Sequence, residues 1–229
     1  MSFMKLTKSE VEGFTQSSGG QPIVSTGIYD ITIDHVEADI KEVDGNKVRS
    51  LNIRYTRNDT GGKGYLFNIR LDMNNGKPHF QMEHIQHLMY ILKIQELKDP
   101  TKETIQLNNG TKEILSLKEF KGKRIKVLVI AEYSRYNGKI YKKLVPYQFY
   151  DADTNATAYE LSHKDETKYG RKYELDSKKT EYMLRDGVTP EDVAAYEASS
   201  GGSNSDENKQ TKPSTNIPEI NISEDEIPF

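Results

Sequence analysis

Residues 65–94, YLFNIRLDMNNGKPHFQMEHIQHLMYILKI, contain the change from strand to helix on which the predicted topology rests. Residues 65–71 place apolar side chains at their odd positions, which is typical of a strand with one buried face. Farther along, five apolar residues follow at spacings of three and four: Met82, Ile85, Leu88, Met89 and Leu92. That spacing predicts a helix with one apolar face, from about residue 81 to residue 94.

Two strands are predicted before this stretch. Residues 29–34 and 51–56 both alternate, with apolar side chains at odd positions. Asp44-Gly45-Asn46 lies between them and favours a hairpin turn, because Asp and Gly tolerate the backbone angles that such a turn requires. Residues 58–64, NDTGGKG, are then expected to form a loop before the third strand.

Two more strands are predicted after the helix. Residues 124–131 become apolar on both faces in their second half, which indicates a central strand, and residues 139–150 form the other. Asn137-Gly138 between them is a strong hairpin signal. Pro146 predicts an edge position or a bulge in the last strand. Residues 101–122 suggest only a short strand and a helical turn near residues 116–120.

The predicted order is three strands, a helix and two strands. Five strands with a helix between the third and the fourth is the order of an OB-fold, a small, partly open barrel. We therefore expect a mostly β protein whose five-stranded OB-fold barrel is followed by a C-terminal extension and a disordered acidic tail. The alternative is a general α+β sheet covered by one helix.

Composition separates the body of the chain from its tail. Hydrophobic residues make up only 34% of the chain, and residues 199–216 contain no apolar side chain larger than proline. A segment of that kind cannot bury enough surface to offset its ordering entropy, so we expect a disordered linker. Residues 199–229 carry two Lys and six Asp or Glu, a net charge of −4, which leaves +1 for residues 1–198 from the total of −3.

The sequence predicts five consecutive segments. They are an N-terminal segment (1–20), an OB-fold domain (21–150), a charged extension (151–198), a linker (199–223) and an acidic tip (224–229). Within the extension, Thr189-Pro190-Glu191-Asp192 predicts the start of a short helix that ends near Ala198.

A cluster of cations and rings lies in residues 121–150. This stretch holds eight Lys or Arg against one acid, Glu132, together with six aromatic residues. Positively charged side chains bind the phosphates of a nucleic-acid strand. Aromatic rings stack on unpaired bases, whatever the base sequence. Because strands alternate, about half of these rings are expected to be core instead.

A second basic surface is predicted on strands two and three. If their odd positions (Leu51, Ile53, Tyr55, Tyr65, Phe67 and Ile69) face inward, four even positions face outward together: Asn52, Arg54, Asn68 and Arg70. Asp30 and Asp34 occupy even positions of strand one, so they are also expected to face outward. There they would repel phosphate or pair with those arginines. Over both surfaces, the candidate DNA-binding residues are Arg54, Arg57, Lys63, Arg70, Lys126, Tyr133, Arg135, Tyr136, Lys139, Tyr141, Lys142 and Lys143.

Catalytic and metal chemistry find little support in the sequence. Gly61-Gly62-Lys63-Gly64 could cradle phosphate, but a P-loop needs Ser or Thr after the lysine and a following helix. His84 and His87 are close enough on the helix to share a metal, although no cysteine completes a zinc set and polar-face histidines are favoured. We therefore expect no catalytic residue, no metal and no cofactor. No apolar run approaches the ~20 residues of a membrane helix.

The C-terminal tip has the most specific pattern in the chain. Glu224, Asp225 and Glu226 precede Ile227-Pro228-Phe229. A terminal carboxylate and a Phe ring fit an apolar pocket with a basic rim, and Pro228 lowers the cost of ordering the peptide. The acids would mainly raise the association rate. An ordinary solubilising tail is the alternative.

The tip is similar to the C-terminal peptide of bacterial single-stranded DNA-binding proteins, which reads Asp-Asp-Asp-Ile-Pro-Phe. Asp225, Ile227, Pro228 and Phe229 match it, whereas Glu224 and Glu226 replace Asp. Residues 20–150 resemble phage-encoded single-stranded DNA-binding proteins through three motifs: GIYDITI (27–33), GKRIKV (122–127) and YNGK (136–139). The body motifs are loose, and residues 151–198 resemble no known segment.

The resemblance implies a non-catalytic protein in the cytoplasm of an infected bacterial host. It would coat and protect single-stranded DNA during phage replication, recombination or repair. Its tip would recruit host or phage enzymes that act on DNA. An adaptor that works through the tail alone, without nucleic-acid binding, is the alternative. The sequence leaves open whether the chain forms a homo-oligomer.

Overall fold

The computed structural model describes residues 20–107 and 110–200, and β-strands are their most abundant regular structure. The strands are β1 (Gly27–Val43), β2 (Asn46–Arg57), β3 (Lys63–Arg70), β4 (Thr101–Leu107), β5 (Gly110–Ser116), β6 (Arg124–Tyr136), β7 (Lys139–Asp151) and β8 (Met183–Leu184). The α-helices are α1 (Gln81–Ile91), α2 (Ala158–His163), α3 (Arg171–Asp176) and α4 (Pro190–Ser200). Predictions for residues 1–19 and 201–229, including most of the linker and all of the tip, lie outside the described residues.

The five predicted strands are present in the predicted order as β1, β2, β3, β6 and β7, with α1 after the third. They belong to one largely antiparallel sheet in which β2 lies between β3 and β1, and β6 pairs with both β1 and β7. The mostly β class is therefore confirmed. Among the described residues no ladder joins β3 to β7, so the sheet is open along that seam.

Strand β1 holds the sheet together because it has different partners along its length. It pairs with β2 from Ile31 to Val43, and its first residues, 27–32, pair with β6 on the other edge. A register shift between Ile33 and His35 marks an irregularity in β1. Beyond it, Glu37 pairs with Ser116 of β5. The change of partner leaves room on that edge for the β4–β5 hairpin.

The β4–β5 hairpin is the main element that the sequence pattern missed. Its residues were predicted to hold one short strand, whereas the structure has two, followed by a 3-10 turn at Lys118–Phe120 that agrees with the predicted helical turn. Ile105 and Ile114 are buried while most of their neighbours are exposed. With so few buried positions, the alternation that identifies a strand is weak.

The core lies between the sheet and α1. It is built from apolar side chains that are almost completely buried, including Ile31, Ile53, Leu66, Ile69, Leu88, Phe120, Ile125, Val127 and Phe149. From the predicted helix face, Ile85 and Leu88 are buried, and Met89 and Leu92 pack against the same cluster. Each fully buried side chain of this kind stabilises the fold by roughly 1.5–3 kcal/mol relative to exposure.

Both predicted hairpin turns are confirmed. Asp44 and Gly45 have φ angles of 50° and 77°, and Asn137 and Gly138 have angles of 48° and 73°. Two successive positive φ angles define the turn that matches the twist of an antiparallel hairpin. The predicted irregularity at Pro146 is also present, as a register shift between Leu128 and Val129 opposite it.

Two face predictions are wrong. Tyr65 and Phe67 were expected to point inward with Ile69, but Leu66 between them is buried instead, the Tyr65 ring stacks on the Phe67 ring, and the Phe67 side chain is 55% exposed. Between the pairs Ile53–Leu66 and Leu51–Ile69, β3 contains one more residue than β2. Asn68 within this bulge has a φ of 52°. The extra residue shifts the alternation, so Leu66 and Ile69 both reach the core.

The extension covers the outer face of β6 and β7. Leu128, Ile130 and Tyr150 form a second buried cluster there, against which Tyr173 and Met183 pack. Strand β8 runs parallel to β6 at Glu132 and Tyr133. Strand β6 is thus buried on both faces, which confirms its predicted central position.

The described residues from Gly20 to Thr189 form one compact unit, and α4 does not belong to it. Helix α4 begins at Pro190, as the Thr-Pro-Glu-Asp pattern predicts, and continues to Ser200. No helix among the described residues is long and apolar enough to cross a membrane.

Candidate nucleic-acid interface

Two stacked rings form the centre of the outer face of β2 and β3. The Tyr65 and Phe67 ring centroids are 4.9 Å apart, and the ring planes differ by 8°. The Arg54 guanidinium carbon lies 3.9 Å from the Tyr65 centroid. We call Arg54, Tyr65 and Phe67 the ring platform. It presents an aromatic face to solvent with a cation stacked beneath it.

The bulge in β3 is what puts both rings on this face. Because the register shifts at Asn68, Phe67 lies outside although Ile69, two residues later, is buried. The Asn68 backbone N–H donates to the Asn52 side-chain oxygen at 2.8 Å, which holds the bulge against β2. Sequence reasoning missed Tyr65 and Phe67 as surface residues. The available signal was Asn68, a residue tolerant of positive φ inside an otherwise apolar strand.

Arg54 supports the platform from below. Its side chain is only 11% exposed, and a terminal nitrogen lies 3.8 Å from a carboxylate oxygen of Glu37, which also accepts from Lys112 at 2.7 Å. Burial lowers the pKa of Arg54, and the charge of Glu37 acts in the opposite direction. The buried Nε of Arg54 has no hydrogen-bond partner in the structure. The geometry gives Arg54 the position of a ring support rather than of an open phosphate contact.

Arg57 is engaged in the loop after β2. It donates to both carboxylate oxygens of Asp59 at 3.0 and 2.6 Å and to the carbonyl oxygens of Gln21 and Pro22 at 3.1 and 3.2 Å. The hydrogen bond from Arg57 is the largest cause of the lowered pKa of Asp59. These bonds fasten the loop to the segment before β1, so the structure places Arg57 in a structural role.

Glycine in this loop allows the close contact between the loop and the segment before β1. A Cβ atom on Gly62 would lie 2.1 Å from the carbonyl oxygen of Gln21, so only glycine fits. Strand β3 follows the loop directly, as the argument against a P-loop expects. Lys63 is exposed at the start of that strand, and Arg70, at its end, donates to the Asn74 side-chain oxygen at 2.6 Å.

Asp30 and Asp34 of β1 have partners other than the predicted arginines of β2 and β3. Asp30 accepts from Arg124 through both carboxylate oxygens, at 3.0 and 2.6 Å. Burial alone would raise the pKa of Asp30, but the hydrogen bonds from Arg124 and Asn58 outweigh it and the pKa is lowered. Asp34 accepts from the Thr56 hydroxyl at 2.8 Å.

The β6–β7 hairpin carries the second predicted surface. Of the six rings in residues 121–150, Tyr136, Tyr141 and Tyr147 are exposed, whereas Tyr133, Phe149 and Tyr150 are buried. The expectation that about half are core is confirmed. The register pairs Tyr136 with Lys139 and Ser134 with Tyr141, so the two tyrosines lie on one face of the hairpin.

Charged side chains of this hairpin differ in their surroundings. Lys139, Lys143 and Arg135 are exposed. Lys142 lies 5.6 Å from the centroid of Tyr133, whose other neighbour is the Tyr182 ring at 5.4 Å. Tyr133 is therefore packed and offers no open face to a base. Lys126 donates to the Asn155 side-chain oxygen at 2.6 Å and so binds the extension.

A surface groove of about 870 Å³ lies elsewhere, between the end of α1 and the start of the extension. Its apolar wall includes Met89, Ile94 and Leu161, and its rim carries Asp151 and Asp153. Carboxylates at the rim repel phosphate, so this groove is not suited to nucleic acid.

The histidines of α1 do not assemble a metal site within the described residues, where no group of three or more potential ligands occurs. His87 Nε2 lies 3.6 Å from Glu83. Burial is the largest cause of the lowered pKa of His84.

Neither a model of a known protein family nor a curated protein sequence matches this chain. The six residues of the predicted partner-binding tip, Glu224 to Phe229, lie outside the described residues.

Proposed function

We propose that this chain is a non-catalytic single-stranded DNA-binding protein that coats and protects unpaired DNA during phage replication or recombination. The ring platform on β2 and β3 is the observation that carries the proposal. Its Tyr65 and Phe67 rings are parallel, and Phe67 is more than half exposed although it is apolar. Each base stacked on such a ring gains about 1–3 kcal/mol, independently of its sequence.

The strand order supports an OB-type barrel as the architecture. Strands β1, β2, β3, β6 and β7 with α1 after β3 correspond to that order, and β4–β5 is an added hairpin. OB-folds bind oligonucleotides on the face of their second and third strands and on the loops that flank it. The ring platform occupies that face, and the β6–β7 hairpin corresponds to the loop between the fourth and fifth strands.

The proposed contact set differs from the sequence-based one. Phe67 stacks on a base, supported by the Tyr65 ring and, behind that ring, by Arg54. The contacts to the phosphates come from the exposed cations Lys63, Arg135, Lys139 and Lys143 and from the half-buried Arg70, and the exposed Tyr136 and Tyr141 of the β6–β7 hairpin add further stacking. Arg57, Lys126 and Tyr133 act in packing instead, because Arg57 is ion-paired with Asp59, Lys126 binds Asn155 of the extension and Tyr133 is buried.

The test is a titration of a fluorescently labelled oligo(dT) with the full chain, followed by anisotropy at low salt. We expect Phe67→Ala to weaken binding about 5-fold or more, in line with the loss of one stacked base. Tyr90→Ala is the matched control, since Tyr90 is also half-exposed but lies on α1. Its affinity should equal that of the wild type.

Absence of oligo(dT) binding by the wild-type chain at low salt would refute the proposal. The adaptor alternative would then stand, because the Ile227-Pro228-Phe229 tip needs no DNA to act as a peptide ligand. In the proposed function the same tip recruits host or phage enzymes to the coated strand.

A further inference from the structure

A second row of rings lies at the start of α1, and the ring platform does not include it. Phe80, the residue before the helix, is 67% exposed. Its ring centroid is 4.3 Å from that of His79 and 6.1 Å from that of His84. His84 is in turn 6.4 Å from Tyr147 on β7. We call these four residues the seam row.

The row lies where the sheet is open. Helix α1 packs against both β3 and β7, the two strands that no ladder joins in the described part of the chain. The His79 backbone N–H donates to the carbonyl oxygen of Leu71, just after β3, at 2.8 Å. Tyr147 belongs to the bulge of β7. The seam row therefore connects the end of β3 with the middle of β7.

The surroundings of the seam row are cationic. Burial lowers the pKa of His79, and the nearby charges of Arg70, Lys143 and His84 lower it further. The Lys179 ammonium lies 5.4 Å from the Tyr147 centroid. Glu83 is the acid that acts on His84, and it also lies within 3.6 Å of His87. Along the chain, Arg70 therefore lies between Tyr65 and Phe67 of the ring platform and His79 and Phe80 of the seam row.

An exposed aromatic side chain alone has little meaning, because single exposed apolar residues are common on protein surfaces. Phe80 differs because its ring has aromatic neighbours on the way to β7, and because charges from both strands, Arg70 and Lys143, act on the adjoining His79. Rings interleaved with cations are the pattern that binds unpaired nucleotides. The charge complementarity points to a polyanion with aromatic groups as the occupant.

We propose that Phe80 is a second base-stacking position, which receives a base of the same DNA strand after it has left the ring platform. The inference rests on the proposed function. Arg70 and Lys143 contact the phosphates between the two stacking positions. The bound strand consequently turns from the face of β2 and β3 across the open seam toward β7.

Tryptophan substitution provides a direct test, because the natural chain contains none. In Phe80→Trp, emission reports this one position, and in Phe67→Trp it reports the platform. The full chain is titrated with oligo(dT) of about 30 nucleotides, longer than the ~4–16 that one OB-type domain covers. We expect quenching in both variants, saturating together with the anisotropy of the labelled strand.

Affinity provides an independent readout. Phe80→Ala and Phe80→Leu should both weaken binding about 5-fold or more, because neither keeps a ring. Tyr159→Ala is the matched control, since Tyr159 is 69% exposed and lies 4.1 Å from the His163 ring on α2. It should bind like the wild type. Because Phe80 is mostly exposed, its variants should keep the wild-type melting temperature.

The outcomes separate the two proposals. Quenching in Phe67→Trp but not in Phe80→Trp, with wild-type affinity in Phe80→Ala, would overturn the seam position and leave the proposed function intact. No binding by the wild type would remove both. If Phe80 binds a partner protein instead of DNA, Phe67→Trp would be quenched by oligo(dT), Phe80→Trp would not, and Phe80→Ala would keep the wild-type affinity.

Discussion

At the residue scale, Asp176 shows how a carboxylate can be buried without losing its charge. Its side chain is 1% exposed, and it accepts hydrogen bonds from the Tyr150 hydroxyl at 2.6 Å and from Lys172 at 2.6 and 2.7 Å. Lys179 lies at 3.0 Å. Burial pushes the pKa of Asp176 upward, but these donors outweigh it, and the pKa is lowered.

We predict that Asp176→Asn lowers the free energy of unfolding by roughly 2–4 kcal/mol at pH 7, because two ammonium groups and a buried hydroxyl lose their shared partner. A lowered carboxyl pKa stabilises the fold above the unfolded-state value of about 3.9, and that contribution is lost as pH falls through the folded-state value. Urea denaturation at pH 7 and at about pH 3 should therefore show a smaller difference between the two proteins in acid.

Asp153→Asn is the control for this prediction. Asp153 is 86% exposed, and its distance to Arg124 is 3.7 Å. The substitution should change the free energy of unfolding by less than about 0.5 kcal/mol. Equal stabilities of Asp176→Asn and wild type at neutral pH would show that the extension is not held by this carboxylate.

At the element scale, the bulge in β3 decides which rings reach solvent. Asn68 has a φ of 52°, a conformation that glycine and asparagine adopt at lower cost than branched residues. We predict that Asn68→Val destabilises the protein by about 1–2 kcal/mol and weakens oligo(dT) binding, because relief of the strain realigns β3 and displaces Phe67. Thermal unfolding and anisotropy measure the two effects.

Asn68→Gly is the matched variant, since glycine adopts positive φ freely. It should keep the oligo(dT) affinity of the wild type, because the bond to Asn52 comes from the backbone N–H. If the valine variant bound DNA as tightly as the glycine variant, the bulge would not be what positions the platform.

The β6–β7 hairpin is the element with the most exposed positive charge in the proposed interface. We predict that Lys139→Ala combined with Lys143→Ala reduces the slope of log affinity against log salt by about 1.4, since each phosphate contact to a single strand contributes about 0.7. The measurement is a titration of oligo(dT) at several salt concentrations.

The control is the pair Lys102→Ala and Lys168→Ala, which removes the same charge from exposed ion pairs with Glu113 and Asp165. Its slope should remain close to that of the wild type. Equal slopes for the two double variants would indicate a nonspecific effect of net charge.

The sequence predicted some helices, strands and turns correctly and others incompletely. Helix α1 was anticipated because its apolar residues recur at spacings of three and four, and the two hairpin turns because Asp-Gly and Asn-Gly favour positive φ. The prediction of the β4–β5 hairpin was incomplete because Ile105 and Ile114 are the only buried apolar residues among its described side chains, and the third buried residue, Ser116, is polar. The outward position of the Phe67 side chain was missed because a bulge changes which residues of a strand face the core, and the amino-acid composition of the strand does not reveal it.

At the scale of the whole molecule, we propose different tasks for the extension and the tip. The extension covers the outer face of β6 and β7 through Tyr150, Tyr173 and Met183. The tip is a peptide whose sequence alone suggests a ligand. Binding of DNA and recruitment of enzymes are therefore proposed to use separate parts of the chain.

We predict that deletion of Ile227-Pro228-Phe229 abolishes capture of partner enzymes, while the affinity for oligo(dT) stays equal or rises, because no proposed DNA contact is removed. Immobilised full-length and shortened chains, exposed to bacterial extract and analysed by mass spectrometry, measure the first effect. Anisotropy measures the second. Retained capture by the shortened chain would show that the tip is not the ligand.

The amino-acid sequence was sufficient for features that depend on neighbouring residues: the order of β1, β2, β3, α1, β6 and β7, the two tight turns, the start of α4 and the contrast between a nearly neutral body and an acidic tail. Contacts between distant residues were beyond it, because pairing register and burial emerge only when the strands assemble. The stacking of Arg54 on Tyr65, the packing of Tyr133 and the ring row from His79 to Tyr147 all join residues far apart in the chain. Their chemistry was visible in the sequence, but their positions were set by the sheet and its bulges.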